Sequence, residues 1–336
     1  MLKIGVIGCG AIGREHIRRL TDLVPGANVV ACSDYYREAA EKTAQQYGIP
    51  NVYSTGEELI AASEVEAIVI ASSDASHAGY VLEGLKHGKQ IFCEKPLAQT
   101  AEDCEKIIAE EMKQGRRLIQ VGFMRRYDHG YAEMKRIIDS GELGAPLMVH
   151  AAHRNVSQPD GFQTEMAVTN VAIHELDICR WLLDDEYSKA QILKVRQSSL
   201  STKGYENPQI VLLETEKGCR IDVEVQVADA YGYDIQCQVV CEKGTINLPD
   251  PYAVVKRAHA NCSFPILTDW ADRFIEAYDI EFAAWVQSAS AGKLTGPSAW
   301  DGYAACVAAD TLNSSRNTGE FLNIEMIEKP DMYKTL

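Results

Sequence analysis

Residues 1–34 read MLKIGVIGCGAIGREHIRRLTDLVPGANVVACSD. An apolar run enters Gly8-Cys9-Gly10-Ala11-Ile12-Gly13, a helix-like segment follows, and a second apolar run ends at Asp34. The pattern G-x-G-x-x-G is weak alone. Here it follows a strand-like run and opens a helix, the context it requires. Gly8 permits the tight turn, Gly10 lets backbone approach a pyrophosphate, and Gly13 allows close helix–strand packing. The helix N-terminus adds unpaired N–H groups and partial positive charge for a diphosphate. Asp34 stands 21 residues past Gly13, where a carboxylate accepts from both adenosine ribose hydroxyls and repels a 2′-phosphate. The expected cofactor is therefore NAD. Arg37 leaves three options open: it pairs with Asp34, lies in solvent, or tolerates a 2′-phosphate.

The same rhythm continues outward. Apolar, β-rich runs fall at 3–8, 28–33, 66–72, 90–93 and 118–122, with a short further run at 51–54. Helical spacing fills 11–23, 37–47, 56–62, 75–88 and 100–115. Strands alternating with helices require parallel pairing, and continuous apolar strands require both sheet faces to be covered. The expected fold class is α/β, beginning with a doubly wound parallel Rossmann sheet.

After residue 123 the pattern changes to α+β. Helices are expected at 128–140, about 167–183, 270–290 and 300–317. Strands are expected at 146–155, 190–199, 208–215, 219–228, 233–241 and 244–248. The turns Glu216-Lys217-Gly218 and Glu242-Lys243-Gly244 read as hairpin connections, so this sheet is large and mostly antiparallel. The division expected is 1–122 for NAD binding and 123–336 for substrate binding and oligomerisation.

Composition narrows the partners. With 48 acidic against 33 basic residues the formal net charge is −15, the wrong sign for nucleic acid or an anionic membrane surface. No stretch approaches 18 apolar residues, and the N-terminus makes a poor signal peptide. The ten cysteines include no C-x-x-C pair, and Cys237 and Cys241 read as core rather than metal ligands. No metal site is expected, and the expected setting is the cytoplasm.

Nicotinamide chemistry on an alcohol needs a base for the hydroxyl proton and a cation or donor for the reacting oxygen. Lys95, in Glu94-Lys95-Pro96 after the 90–93 run, lies where strand ends face the ligand crevice. A lysine just past a strand is also commonly a solvated loop residue. His174 is the candidate base, since imidazole titrates near neutrality. It reads equally as a structural histidine. Asn170 and Asp177 share its helix, and His153, Asn155 and Tyr233 add groups suited to hydroxyls.

Taken together, these segments resemble the glucose–fructose oxidoreductase/inositol dehydrogenase/rhizopine catabolism family (Gfo/Idh/MocA). Glu94-Lys95-Pro96 and Ile173-His174-Glu175-Leu176-Asp177 mark the broad family. Met124-Arg125-Arg126-Tyr127-Asp128, His153-Arg154-Asn155 and Tyr231-Gly232-Tyr233-Asp234 are more specific to its inositol dehydrogenases. The likeness runs over almost the whole chain, to Gly296-Pro297-Ser298-Ala299-Trp300-Asp301-Gly302-Tyr303.

The resemblance implies NAD-dependent oxidation of the axial hydroxyl of myo-inositol to the 2-keto product, in a homotetramer built through open sheet faces. Lys95 would bind the reacting oxygen, with His174 as base and Asn170 beside it. Arg125, His153, Asn155, Val171 and Tyr233 would line the polyol pocket. Cofactor contacts are expected from Gly8, Gly10, Ala11, Ile12, Gly13 and Asp34. Ser72, Ser73, His77, Glu94 and Lys95 complete that set.

The chain departs from the family at two positions. Inositol dehydrogenases typically carry a carboxylate where Asn170 stands, and often threonine where Val171 stands. A carboxylate beside imidazole raises its basicity, and acid-to-amide changes in His–Asp pairs cost up to about 10⁴ in rate. An alternative substrate follows as an expectation: another inositol isomer, a deoxy or methylated inositol, or a pyranose. A non-catalytic NAD-binding sensor is the remaining reading, which Lys95 and His174 disfavour.

Overall fold

The computed structural model describes residues 1–158, 161–201, 204–251 and 254–334. The N-terminal apolar runs form six parallel strands: β1 (Leu2–Ile7), β2 (Ala27–Ser33), β3 (Asn51–Val52), β4 (Ala67–Ile70), β5 (Gln90–Glu94) and β6 (Ile119–Gly122). Their order is β3-β2-β1-β4-β5-β6, so chain direction across the sheet reverses beside β1. Parallel strands need crossovers, which α1 (Ala11–Asp22), α2 (Arg37–Tyr47), α3 (Gly56–Ala61), α4 (Asp74–Lys86) and α5 (Ala101–Lys113) supply. Thr55 and Thr100 cap α3 and α5 by accepting from the backbone N–H of Glu58 and Asp103. The short run at 51–54 is a strand of two residues, completing the sheet edge.

The second half contains a 3₁₀ turn at Met124–Tyr127, then α6 (His129–Ser140) and β7 (Pro146–Arg154). A π-helical turn at Ala167–Ala172 leads into α7 (Ile173–Leu183). There follow β8 (Tyr187–Lys194), β9 (Gln209–Thr215), β10 (Arg220–Gln226), β11 (Asp234–Cys241), β12 (Gly244–Asn247) and a small hairpin, β13 (Lys256–Ala258) with β14 (Asn261–Ser263). The chain ends with α8 (Trp270–Ser290), α9 (Ala299–Thr318) and β15 (Leu322–Asn323), before a final 3₁₀ turn at Asp331–Tyr333.

The seven-stranded sheet has the order β12-β11-β7-β10-β9-β8-β15. Its pairs are antiparallel except β7 with β10. The two hairpins expected from their turns are both present. The strand expected at 190–199 sits earlier, at 187–194, and the 167–183 helix begins as a π-helix. Inward residues such as Val149, Val211, Leu213 and Val223 are fully buried, whereas Met148, His150 and Asp222 alternate to the other face, half-buried or exposed.

The compact units do not follow a linear division at 122/123. One comprises Met1–Phe123, Tyr278–Cys306 and the chain from Ile327 on, and the other Met124–Ala277 with Val307–Met326. The reason is burial. Phe282, Trp285, Val286, Ala289 and Leu294 belong to the same apolar core as Ile4, Val6, Val69 and Phe92. The Phe282 ring lies 4.4 Å from that of Phe92, and Trp285 meets Phe92 edge-on at 5.6 Å. Periodicity showed a helix over 270–290 but carried no signal for which core its apolar side would fill.

Trp285→Ala is therefore expected to destabilise the unit containing the parallel sheet, by about 3–5 kcal/mol. The urea-unfolding midpoint, followed through fluorescence or circular dichroism, measures it.

Candidate active site

The phosphate loop is set by close approach. A β-carbon on Gly13 would lie 2.0 Å from the Gly8 carbonyl oxygen, and Gly8 itself has φ +102°. Around Gly10 the opposite holds: a β-carbon there meets nothing within 4 Å. Gly10 is the N-cap of α1 and provides no side-chain cap, so the helix's first N–H groups face that open space. Ala11 and Ile12 open the helix there. The arrangement fits a bound diphosphate.

Asp34 follows β2 directly. Its Oδ2 accepts from the Cys9 N–H at 2.6 Å and its Oδ1 from the Tyr36 N–H at 2.8 Å. The carboxylate is thus held against the phosphate loop. Arg37 does not neutralise it. That guanidinium donates to Glu41 at 2.7 Å and to the Ser54 hydroxyl at 2.7 Å.

The carboxyl ends of β4 and β5 are joined by His77. Its Nδ1 lies 2.7 Å from the Pro96 carbonyl oxygen and its Nε2 3.2 Å from that of Ser72. The buried imidazole, expected at the cofactor, lies between two loop carbonyls. Ser72 bonds the Ser76 hydroxyl at 2.7 Å, and Ser73, the N-cap of α4, has its hydroxyl 3.5 Å from that of Ser76 instead of on a helix N–H. The Lys95–Pro96 peptide is cis. Glu94 is buried; its Oε1 is 2.7 Å from His16 Nε2 and its Oε2 accepts from the Lys95 N–H at 3.2 Å.

The other unit gathers a second set of groups. The inner face of β7 directs His153 toward α7, where its ring centroid lies 6.3 Å from that of His174. Tyr233, just before β11, meets His153 edge-on at 5.8 Å. Beneath them Arg125 is buried and pairs with Glu175, its guanidinium 5.3 Å from the Phe274 ring centre. Glu175 Oε2 lies 2.9 Å from His153 Nδ1. The same Nδ1 lies 3.1 Å from Arg125 Nη2, so the ring is held between both members of the ion pair.

Burial pushes Glu175 up, but the charges of Arg125 and His153 outweigh it and its pKa is lowered. Burial raises the Tyr233 hydroxyl to about 12, against the opposing pull of Arg125, so it remains a donor at neutral pH.

Asn155 follows β7, and its backbone bonds Gln226 and Asp229. Its side-chain oxygen is buried, with no hydrogen-bond partner among the described residues. A buried acceptor left open in this way calls for a donor, and a ligand hydroxyl is one. Asn170 and Val171 lie on the π-helical turn, and Thr169 Oγ1 donates to Asn170 Oδ1 at 2.8 Å. Such turns are frequent at functional sites. Asp177, one turn past His174, accepts from Arg126 Nε at 2.9 Å.

Arg125, His153, His174 and Tyr233 are thus brought together, with Arg125 acting from beneath. Sequence reasoning assigned no role to Glu175, Arg126, His16 or Arg19. Glu175 was visible inside the His174 motif, but its partner lies 50 residues away. A polar residue at an inward helix position was the only available signal.

The profile described as the oxidoreductase family, NAD-binding Rossmann fold, matches residues 2–123, and that of the GFO/IDH/MocA C-terminal domain matches residues 131–247. An inositol 2-dehydrogenase of Klebsiella pneumoniae subsp. pneumoniae is 52% identical over 334 residues, 99% of either chain. That of Burkholderia cenocepacia is 50% identical over the same length and 99% of either chain. The crystal structure of myo-inositol dehydrogenase from Lactobacillus casei in complex with NAD(H) and myo-inositol is 39% identical. It superposes with a TM-score of 0.96, covering 99% of this chain and 100% of that one.

Removing the cation under the histidines isolates a buried carboxylate. Arg125→Met is expected to cost about 3–5 kcal/mol near neutral pH. In the native protein Glu175 has a lowered pKa, so its stabilising contribution is lost as pH falls through the folded value. In the variant the folded pKa rises above the unfolded one, so the penalty grows with pH and fades in acid. Urea unfolding across a pH series reads the sign.

Proposed function

The chain belongs to the GFO/IDH/MocA oxidoreductase family, and from that membership we propose that it is an NAD-dependent dehydrogenase of a cyclic polyol, oxidising myo-inositol to its 2-keto product. The observation that carries the substrate assignment is the convergence of His153, His174 and Tyr233 over a buried Arg125–Glu175 pair. Such a set offers donors and acceptors to a ring bearing several neutral hydroxyls, in a chain whose other unit carries a diphosphate loop.

Each residue then has a task. The first N–H groups of α1 hold the diphosphate, and Asp34 accepts from the adenosine ribose hydroxyls. Bound NAD⁺ supplies the hydride acceptor. Lys95 donates to the reacting oxygen and stabilises the charge that develops there. His174 takes the hydroxyl proton. Tyr233 donates to a second hydroxyl, while the His153 ring bonds another and the open Asn155 oxygen accepts from a third. Arg125 and Glu175 hold the His153 ring in place.

Asn170 supports a second reading about which polyol is preferred. Its amide orients a neighbour without lending charge, so the base lacks the carboxylate that the family's inositol dehydrogenases place there. Another inositol isomer, a modified inositol or a pyranose then becomes the better substrate.

The cytoplasm is the proposed setting; among the described residues no helix is long and apolar enough to cross a membrane. A homotetramer is proposed, assembled through the outer face of the seven-stranded sheet. There Arg154 pairs with Glu224 at 2.6 Å and Asp234 at 2.8 Å, and Met148, six residues earlier on the same face of β7, is exposed.

Reduced-nicotinamide absorbance in the presence of NAD⁺ and a polyol panel tests the reading. Turnover of myo-inositol is expected, with Lys95→Met and His174→Gln each lowering kcat by at least about 10². No reduction of NAD⁺ by any polyol overturns it. A myo-inositol kcat/KM about tenfold above every other polyol sinks the second reading. If the amide limits the rate, Asn170→Asp raises myo-inositol turnover. Asp34→Ser is expected to shift cofactor preference away from NAD toward NADP, read by fluorescence titration of both.

A further inference from the structure

Four buried or half-buried polar side chains run in line behind Lys95, and the proposed chemistry uses none of the three beyond Glu94. Asp279 accepts from Arg19 Nε at 2.8 Å, Arg19 Nη1 lies 3.3 Å from His16 Nδ1, and His16 Nε2 lies 2.7 Å from Glu94 Oε1. Glu94 Oε2 accepts the Lys95 N–H at 3.2 Å. The side chains of His16 and Arg19 are 0% and 2% exposed, and that of Glu94 8%. We propose that His16 is a positioning residue for Lys95, acting through the Glu94 carboxylate. The proposal rests on the assignment of Lys95 to the reacting oxygen.

Direction along the line is unambiguous. Arginine only donates, so His16 Nδ1 accepts; a carboxylate only accepts, so His16 Nε2 donates. Burial lowers the His16 pKa, against the raising effect of Glu94, which leaves a neutral ring with its single proton on Nε2. Burial alone raises Glu94, yet its bond to His16 and the charge of Lys95 outweigh this and keep it ionised.

The charged and titratable groups facing the pair are Glu15 and Arg19 on α1, Cys93 and Lys95 along β5, and Asp279 beside Tyr278 on α8. A guanidinium gives up no proton in a protein, so the line is no proton wire to the surface. It is a fixed support.

Three features hold it still. The His16 ring packs against Phe282 at 4.4 Å, Tyr278 at 5.7 Å and Phe92 at 6.0 Å. The Arg19 guanidinium lies 4.9 Å from the Tyr278 ring centre. The Glu94 carboxylate fills the space above Gly122, where a β-carbon would lie 3.1 Å from Cδ and Oε2. A buried anion with a neutral partner is a poor way to gain stability. What it does gain is a link between the helix that opens the phosphate loop and the backbone from which Lys95 departs.

The test compares His16→Phe, His16→Gln, Glu94→Gln and Lys95→Met with the wild-type enzyme on NAD⁺ and the polyol it turns over best. His16→Phe keeps the aromatic packing and removes the donor. Its kcat is expected to fall by up to about 10²-fold with KM nearly unchanged. The acid limb of its kcat profile steepens, because Glu94 now takes up an inactivating proton. Infrared spectra of the apo protein show that proton as a carboxylic-acid carbonyl band absent from the wild type and from the His16→Phe/Glu94→Gln double variant.

His16→Gln restores a donor and recovers most of the rate. Glu94→Gln is slow but keeps the single-proton limb. Wild-type kcat and pH profile in His16→Phe overturn the proposal; should that variant not fold, the same result in Glu94→Gln overturns it. If Lys95→Met still turns over, the Lys95 assignment falls and the proposal with it. An inactive Lys95→Met beside wild-type-like His16→Phe and Glu94→Gln sinks the positioning role alone.

Discussion

The unit built on the parallel sheet depends on one close approach. Gly13 can have no β-carbon because the Gly8 carbonyl oxygen would lie 2.0 Å from it. That contact seats the start of α1 directly against the end of β1 and sets the helix's direction. Everything α1 offers follows from it: open N–H groups around Gly10, His16 turned to Glu94, and Arg19 turned to Asp279. One glycine contact thus places both the diphosphate site and the support behind Lys95. A side chain there would displace the two together.

The second unit uses charge where the first uses close packing. Consecutive arginines, Arg125 and Arg126, leave a 3₁₀ turn and meet Glu175 and Asp177 on α7. Both acids are almost fully buried. Ion pairs in such places lose much of their Coulomb gain to desolvation and contribute little net stability. They do fix which way α7 faces, since any rotation would strand a charge. His174 lies immediately before the first of these acids, so its orientation toward His153 follows from the pair beside it. The chain's −15 net charge is no help to the cofactor's diphosphate. The positive potential has to be made locally, from helix N–H groups and single cations.

Much of this could be read from the chain alone. The Rossmann alternation, the glycine loop, Asp34 and the hairpin turns are local patterns, each set by a few neighbouring residues. The histidine and lysine candidates were legible as residue types at strand ends and on a helix face. The π-helical start of α7 was not, since no glycine or proline marks it and an α-helical period fits the same residues. The pairing of Arg125 with Glu175 was not legible, because nothing nearby in the sequence indicates it. The surroundings of His77 were not legible either: its ring lies between backbone carbonyls five and 19 residues away.

The sequence by itself determined the parallel sheet, the cofactor class and the candidate acid–base residues. These depend on short-range periodicity and on side-chain chemistry, which a chain carries whatever its fold. Only the tertiary structure decided that α8 contributes Phe282 and Trp285 to the core under β1 and β5. It alone decided that Arg37 pairs with Glu41 instead of Asp34, and that His16 stands behind Lys95. Apart from the Arg37–Glu41 pair, which spans one helical turn, those facts are pairings across tens to hundreds of residues. A hydrophobic or charged side chain can satisfy itself against many partners, and only the closed core determines which one it reaches.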